Sequence, residues 1–232
     1  MKGMGIMKSL LYMAAAAAVV IGAGCGSCPS GSSKADKASI TFDNAWFYDK
    51  DGNFIEERGK DAYIALMKYH GYPVFPNARE KLWVSDYGIG EFTKVGLAAL
   101  FFANTEDEPE GFRFLLQDLF LLPGQMLPEH YHVKSENSVE KMEGWLVLHG
   151  SVTIIGEGTP TPGLLERLPE SQRACATVLH GVEAKPGDFV KLNRITAPHG
   201  QLAGPEGVIE TEVANFHDNA AVRHTNPKLR FP

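Results

Sequence analysis

Apolar positions along this chain change their pattern twice. Residues 10–21, LLYMAAAAAVVI, are apolar without interruption. Between Gly52 and Gly71, Ile55, Tyr63, Ile64, Leu66 and Met67 recur at roughly helical spacing, and Gly71-Tyr72-Pro73 closes the run. This predicts a helix lying on the outside of the domain. From about Trp83 short β-type segments take over, in LWVSDYG, FTKVGLAALFFAN and RFLLQDLFLLPG, rich in Val, Leu and Phe and punctuated by Gly, Asn and Asp. TEDEPEG, at 105–111, reads as a solvated hairpin tip, and WLVLHGSVTII as a strand, a Gly-Ser turn and a returning strand. After Ile155, GEGTPTPGLLERLPESQRA has the composition of a long surface loop. VLHGVEAKPGDFVKLNR gives two strands joined by a Lys-Pro-Gly-Asp turn. In GVIETEVANFHD a further strand puts Glu210 and Glu212 on one face and Ile209, Thr211 and Val213 on the other. The tail from Asn219 to Pro232 looks irregular. Many short strands with one preceding helix predict a mainly β domain, a β-barrel or jelly roll with the helix packed outside.

Length and charge narrow the class. A chain of 232 residues can bury a sizeable core in one large β domain. The net charge of −6 argues against a nucleic-acid partner, which calls for a basic stripe. At the N-terminus, Lys2 and Lys8, the apolar run and Gly22-Ala23-Gly24 before Cys25 resemble a bacterial lipoprotein signal. The organisation expected is a signal at 1–24, a Ser/Gly-rich flexible tether at 25–45 and the β domain at 46–232. The protein is then expected in a bacterial cell envelope, periplasmic or on the outer membrane, held to the membrane by lipid on Cys25. A Cys28–Cys175 disulfide stays open.

The chemistry concentrates in Gly124–Gly150. His130 and His132 sit at i and i+2, so on a strand both imidazoles project to one side. Glu143 follows, and His199 lies beyond a second run of strands. Three neutral imidazoles and a carboxylate suit Mn²⁺ or Fe²⁺, and also Zn²⁺. The frame G-x5-H-x-H-x10-E-x6-G has the form of the first cupin motif with a longer inner loop. Lys141, two positions before Glu143, can share its face. His70, His149, His180, His217 and His224 stand in segments without ligand spacing and read as surface or packing residues.

LLPGQMLPEHYH, KMEGWLVLHGSV, GEGTPTP, KPGDFVKL and PHGQLAGPEG together resemble the D-lyxose ketol-isomerases, a cupin family, over roughly residues 50–232. The resemblance implies a cupin β-barrel and a Mn²⁺-dependent aldose–ketose isomerase acting on a small sugar through a cis-enediolate, usually as a homodimer. It places His130, His132, Glu143 and His199 as metal ligands, and Lys141 and Glu212 as the groups that move protons. The chain departs from the family at Gly200, where a Trp is usual, and at Asn219–Arg223, where the family carries an acidic run. If those carboxylates supply the base, Glu210 or Asp218 must substitute. A sugar-binding lipoprotein without turnover and a cupin dioxygenase remain the alternatives.

Overall fold

The computed structural model describes residues 40–230. The signal-type segment, Cys25, Cys28 and the tether up to residue 39 lie outside them, and so does any pairing of Cys28 with Cys175. Ile40 is already buried, and Asp43 caps a 3-10 turn, Asn44–Phe47, by accepting from the Ala45 N–H. Packing thus reaches into the last residues of the stretch read as a tether.

The expected helix is α1, Glu56–His70. Glu56 and Glu57 in its first turn and Lys68 and His70 in its last complement the helix dipole. Gly71, at φ +70°, ends it in the left-handed conformation. Its buried stripe, Ala62, Tyr63, Leu66 and Met67, packs with Phe92, Leu100, Phe120 and Ile209 against the outside of the sheet, as the sequence predicts. A single turn, α2 at Ala78–Lys81, leads into the strands.

Among the described residues nine strands follow: β1 Leu82–Ser85, β2 Leu97–Asn104, β3 Phe114–Leu121, β4 Met126–His132, β5 Glu143–Gly156, β6 His180–Ala184, β7 Phe189–Lys191, β8 His199–Asn215 and β9 Val222–His224. The long strands β5 and β8 run antiparallel along their length. Their halves face different neighbours. Residues 208–215 of β8 pair with β3, which continues through β2 to β1, while 199–202 pair with β4, which continues to β9. The sheet therefore curls on itself, and Ala99, Leu119, Trp145 and Val147 from one half share a core with Leu127, Ile154 and Ala203 from the other. This is the mainly β, barrel-like roll with an outer helix that the sequence predicts.

Three local expectations need correction. WLVLHGSVTII is not a hairpin but the middle of one unbroken strand, β5, and His149 is not at a turn. Gly150 adopts φ +73° and the register slips around it, so the Gly-Ser pair makes a bulge that bends the strand from one half of the sheet to the other. PHGQ and GVIETEV are likewise one strand, β8. The tail is not wholly irregular, because β9 adds to the edge of β4. Within the long loop, two single turns, α3 at Leu164–Arg167 and α4 at Glu170–Arg173, bring Leu164 and Leu168 into a small core with Met126, Ile155 and Leu202.

Candidate metal centre

Antiparallel pairing of β4 with β8 sets His130 directly opposite His199. A register slip between Leu127 and His130 precedes the pair, and His132 follows on the same face. Glu143 is the first residue of β5. Each of the four residues offers a ligand atom, all within 4.8 Å of one another, and all four are buried. The spacing seen in the sequence thus does bring them together. Among the described residues this is the cluster of His, Cys, Asp and Glu with metal-ligand geometry.

The protons are arranged for a cation. His130 Nδ1 lies 2.9 Å from the Pro128 carbonyl oxygen, and His199 Nδ1 2.9 Å from that of Ala197. A carbonyl only accepts, so each Nδ1 carries the hydrogen and, in the neutral ring, each Nε2 keeps its lone pair. His199 Nε2 then stands 3.0 Å and His132 Nε2 3.4 Å from Glu143 Oε1. All three of these atoms are buried without a hydrogen-bond partner. A bare imidazole nitrogen and a carboxylate oxygen at that distance repel unless a proton or a metal ion lies between them. The donor set therefore fits a divalent ion, with coordination positions left for small oxygen ligands.

Burial pushes His130 and His132 well below the usual histidine range, which keeps them neutral as ligands. Burial opposes ionisation of Glu143, yet Lys141 and the imidazoles of His199 and His132 hold it well below the usual carboxylate range. Burial lowers His199 too, but the Glu143 carboxylate outweighs it and the net shift is upward.

Lys141 and Glu212 adjoin this cluster. Lys141 Nζ lies 2.7 Å from Glu143 Oε2 and 2.5 Å from Glu212 Oε1, with all three side chains buried. Gln117 Nε2 donates to Glu212 Oε2 at 2.9 Å. Burial raises Glu212 above its ordinary value, Lys141 pulling against it. The strand register left open by the sequence is thus fixed: Glu210 and Glu212 both point inward. Glu210 does not line the cavity with Glu212, however. It is wholly buried, both its oxygens lack a hydrogen-bond partner, and burial, helped by the charge of Glu212, pushes it up to about 8. Asp218 is occupied elsewhere, accepting from Ser135 Oγ at 2.6 Å and from the Ala220 N–H at 2.9 Å.

The cluster opens on a cavity of about 190 Å³. At ~30 Å³ per water this is space for about six waters, the scale of one small polyol. Two residues read as packing, His217 and His224, line it. β9 puts His224 opposite His130, and the His217 ring lies 5.8 Å from that of His132. His217 Nε2 is bonded to Asn219 Oδ1 at 2.9 Å. A three-residue strand is too short to show a period, so no pattern in the tail announces these residues. By contrast His70 and His149 meet away from the cavity, ring to ring at 5.6 Å. Gly200, next to His199, faces away from the cluster. A Cβ there would lie 3.1 Å from the Leu127 carbonyl oxygen, so a side chain would need β4 to give by a few tenths of an ångström.

No family model matches the chain. A D-lyxose/D-mannose isomerase of Thermosediminibacter oceani is 30% identical over 176 residues, 76% of this chain and 93% of that protein. A D-lyxose ketol-isomerase of Thermofilum sp. is 30% identical over 176 residues, 76% of this chain and 94% of that protein. Among solved structures, an L-ribose isomerase of Acinetobacter sp. DL28 in complex with L-ribose superposes with a TM-score of 0.61 at 13% identity, covering 78% of this chain and 94% of that one. An L-ribose isomerase of Cellulomonas parahominis gives 0.60 at 13% identity, covering 79% and 95%. At that identity the likeness speaks for the fold.

Proposed function

We propose, because the chain belongs to the D-lyxose ketol-isomerase family and is an aldose–ketose isomerase, that it interconverts D-lyxose or D-mannose with the corresponding ketose in the cavity beside His130 and Lys141. The observation carrying this reading is the buried chain of contacts from His199 through Glu143 and Lys141 to Glu212. His130, His132, Glu143 and His199 hold the metal in this reading. Mn²⁺ is the ion that the family resemblance implies, with Zn²⁺ or Fe²⁺ as alternatives that the same donors would hold.

Isomerisation moves one proton from C2 to C1 and a second from O2 to O1, with negative charge on the sugar oxygens of a cis-enediolate meanwhile. The bound ion would supply positive charge for those oxygens. Glu212 takes the carbon-bound proton and returns it to the neighbouring carbon, a base kept from water by burial. Lys141, held between two carboxylates, remains an ammonium and donates to the oxygen that gains charge. Gln117 fixes the Glu212 carboxylate from its other oxygen. Incubating Mn²⁺-loaded protein with D-lyxose and D-mannose in D₂O tests this: ketose is expected, with solvent deuterium entering at C1 of the ketose and C2 of the re-formed aldose, and neither ketose nor label at high enzyme concentration would end it.

Two further parts of the proposal concern surroundings. Leu146, Phe189 and Val213, 37%, 53% and 42% exposed, form an apolar outer face, with Leu146 opposite Phe189 and Gly144 opposite Val213. Such a patch supports a homodimer; a monomer mass by light scattering at micromolar concentration would exclude it. The Cys25 signal supports a lipid-anchored envelope protein, and Cys25→Ser should then leave the membrane fraction.

A further inference from the structure

We propose that the protein also isomerises the reducing-end sugar of a neutral disaccharide, whose second ring lies in a groove outside the cavity mouth. The inference rests on the isomerase reading for the reaction itself and extends it to a larger class of substrate.

Burial shows which end of the cavity is the mouth. His130, His132, Lys141, Glu143, His199 and Glu212 are all buried, whereas Phe101, 38% exposed, and Asn219 reach the surface. C1 and C2 of a sugar beside Lys141 and Glu212 therefore sit at the closed end, and its distal carbons point toward Phe101 and Asn219. The cavity, at about 190 Å³, has room for one sugar. Anything joined to the distal carbons lies outside it.

Outside is an open groove of about 540 Å³. Phe101, His217 and Asn219 line both spaces, so groove and cavity meet at these three residues. The rim between them is fixed in place. Asn104 donates from Nδ2 to the His217 carbonyl and accepts at Oδ1 from the His217 N–H, both at 2.9 Å, and Asn219 Oδ1 lies 2.9 Å from His217 Nε2. Asp218 is tied to Ser135 and to the Ala220 N–H. A groove held this way is formed before a ligand arrives, which lowers the cost of binding.

Its chemistry suits a sugar ring without charge. A pyranose has an apolar C–H face and a belt of hydroxyls. Phe101 offers an exposed ring to the first, and the exposed side chains of Glu106 and Asn137 offer hydrogen-bonding groups to the second. A phosphate on the distal carbon would instead meet the carboxyl groups of Glu106 and Asp218, and no Lys or Arg is among the described residues that line the groove. A linkage at O4 or O6 leaves C1, C2 and the ring oxygen untouched. The reaction is then the same: one proton passes from C2 to C1 and one from O2 to O1, and the glycosidic bond stays intact.

The test offers Mn²⁺-loaded protein D-mannose, mannobiose linked through O4 or O6, and D-mannose 6-phosphate, with ketose formation read by chromatography. At least one mannobiose is expected to give the ketose-ended disaccharide with kcat/KM about tenfold above that of D-mannose, the order of one well-placed ring contact. If neither mannobiose exceeds D-mannose, or the phosphate exceeds both, the proposal is overturned and the isomerase reading stands. No ketose from any of these sugars would remove both. Asn137→Trp, which puts a bulky ring into the groove, should abolish the advantage of mannobiose; an advantage unaltered in the folded variant counts against the groove as the place of the second ring.

Discussion

His132 shows how far one side chain is specified by its surroundings. Its Nε2 has no hydrogen-bond partner and lies 3.4 Å from a carboxylate oxygen, a placement that a shared divalent ion would satisfy. His132→Ala should therefore cut bound metal from about one ion per chain to a small fraction of that, read by elemental analysis beside the wild type, because losing one of four protein ligands weakens the whole site. Glu210 makes a different prediction. Its folded pKa of about 8 lies above the ordinary carboxylate value, so between those two values the folded chain binds a proton that the unfolded chain has lost. Stability therefore falls as pH rises through that window. Glu210→Gln should remove the decline and gain a few kcal/mol at pH 8, ~1.4 kcal/mol for each pH unit being the ceiling. Urea melts of both proteins at pH 5 and pH 8 would check it, and parallel slopes would count against it.

Elements, rather than residues, explain what the sequence could and could not yield. The i, i+2 histidines, the outer helix and the face shared by Glu210 and Glu212 were legible because each depends on a period within one segment; which way that face turns was not. The bulge at Gly150 was not, since a Gly-Ser pair inside an apolar run signals a turn and a bulge equally well. Nor were His217 and His224, which reach the cavity only because β9 docks on β4. Gly150 repays attention as an element-level device. Any Cβ there would lie 2.0 Å from the Gly207 carbonyl oxygen, at a φ that side chains avoid. Gly150→Ala should cost about 2 kcal/mol or more in chemical denaturation, by strain and by opening the contact between the two bends.

At the scale of the molecule, the two halves of the sheet divide the chemistry between them. The half built on β3 and β2 supplies Gln117, Leu119 and Ala99, and the half built on β4 supplies His130 and His132. β5 and β8 belong to both, and they carry Glu143, Glu212 and His199. An ion on the four ligands binds the folded state alone, so it adds stability as RT ln(1 + [M]/Kd), about 2.7 kcal/mol at a hundredfold excess over Kd. Chelation is expected to lower the melting temperature of the whole domain in one transition rather than free a loop; a melting temperature unchanged by chelator would argue that no ion contributes.

The seam shared by β5 and β8 has one more effect. Because the ligands are stitched across it, prying the two halves apart and letting the ion go are the same event. Amide protons along that seam should thus exchange on the timescale of metal loss, and a sugar that merely enters and leaves the mouth should not hasten either.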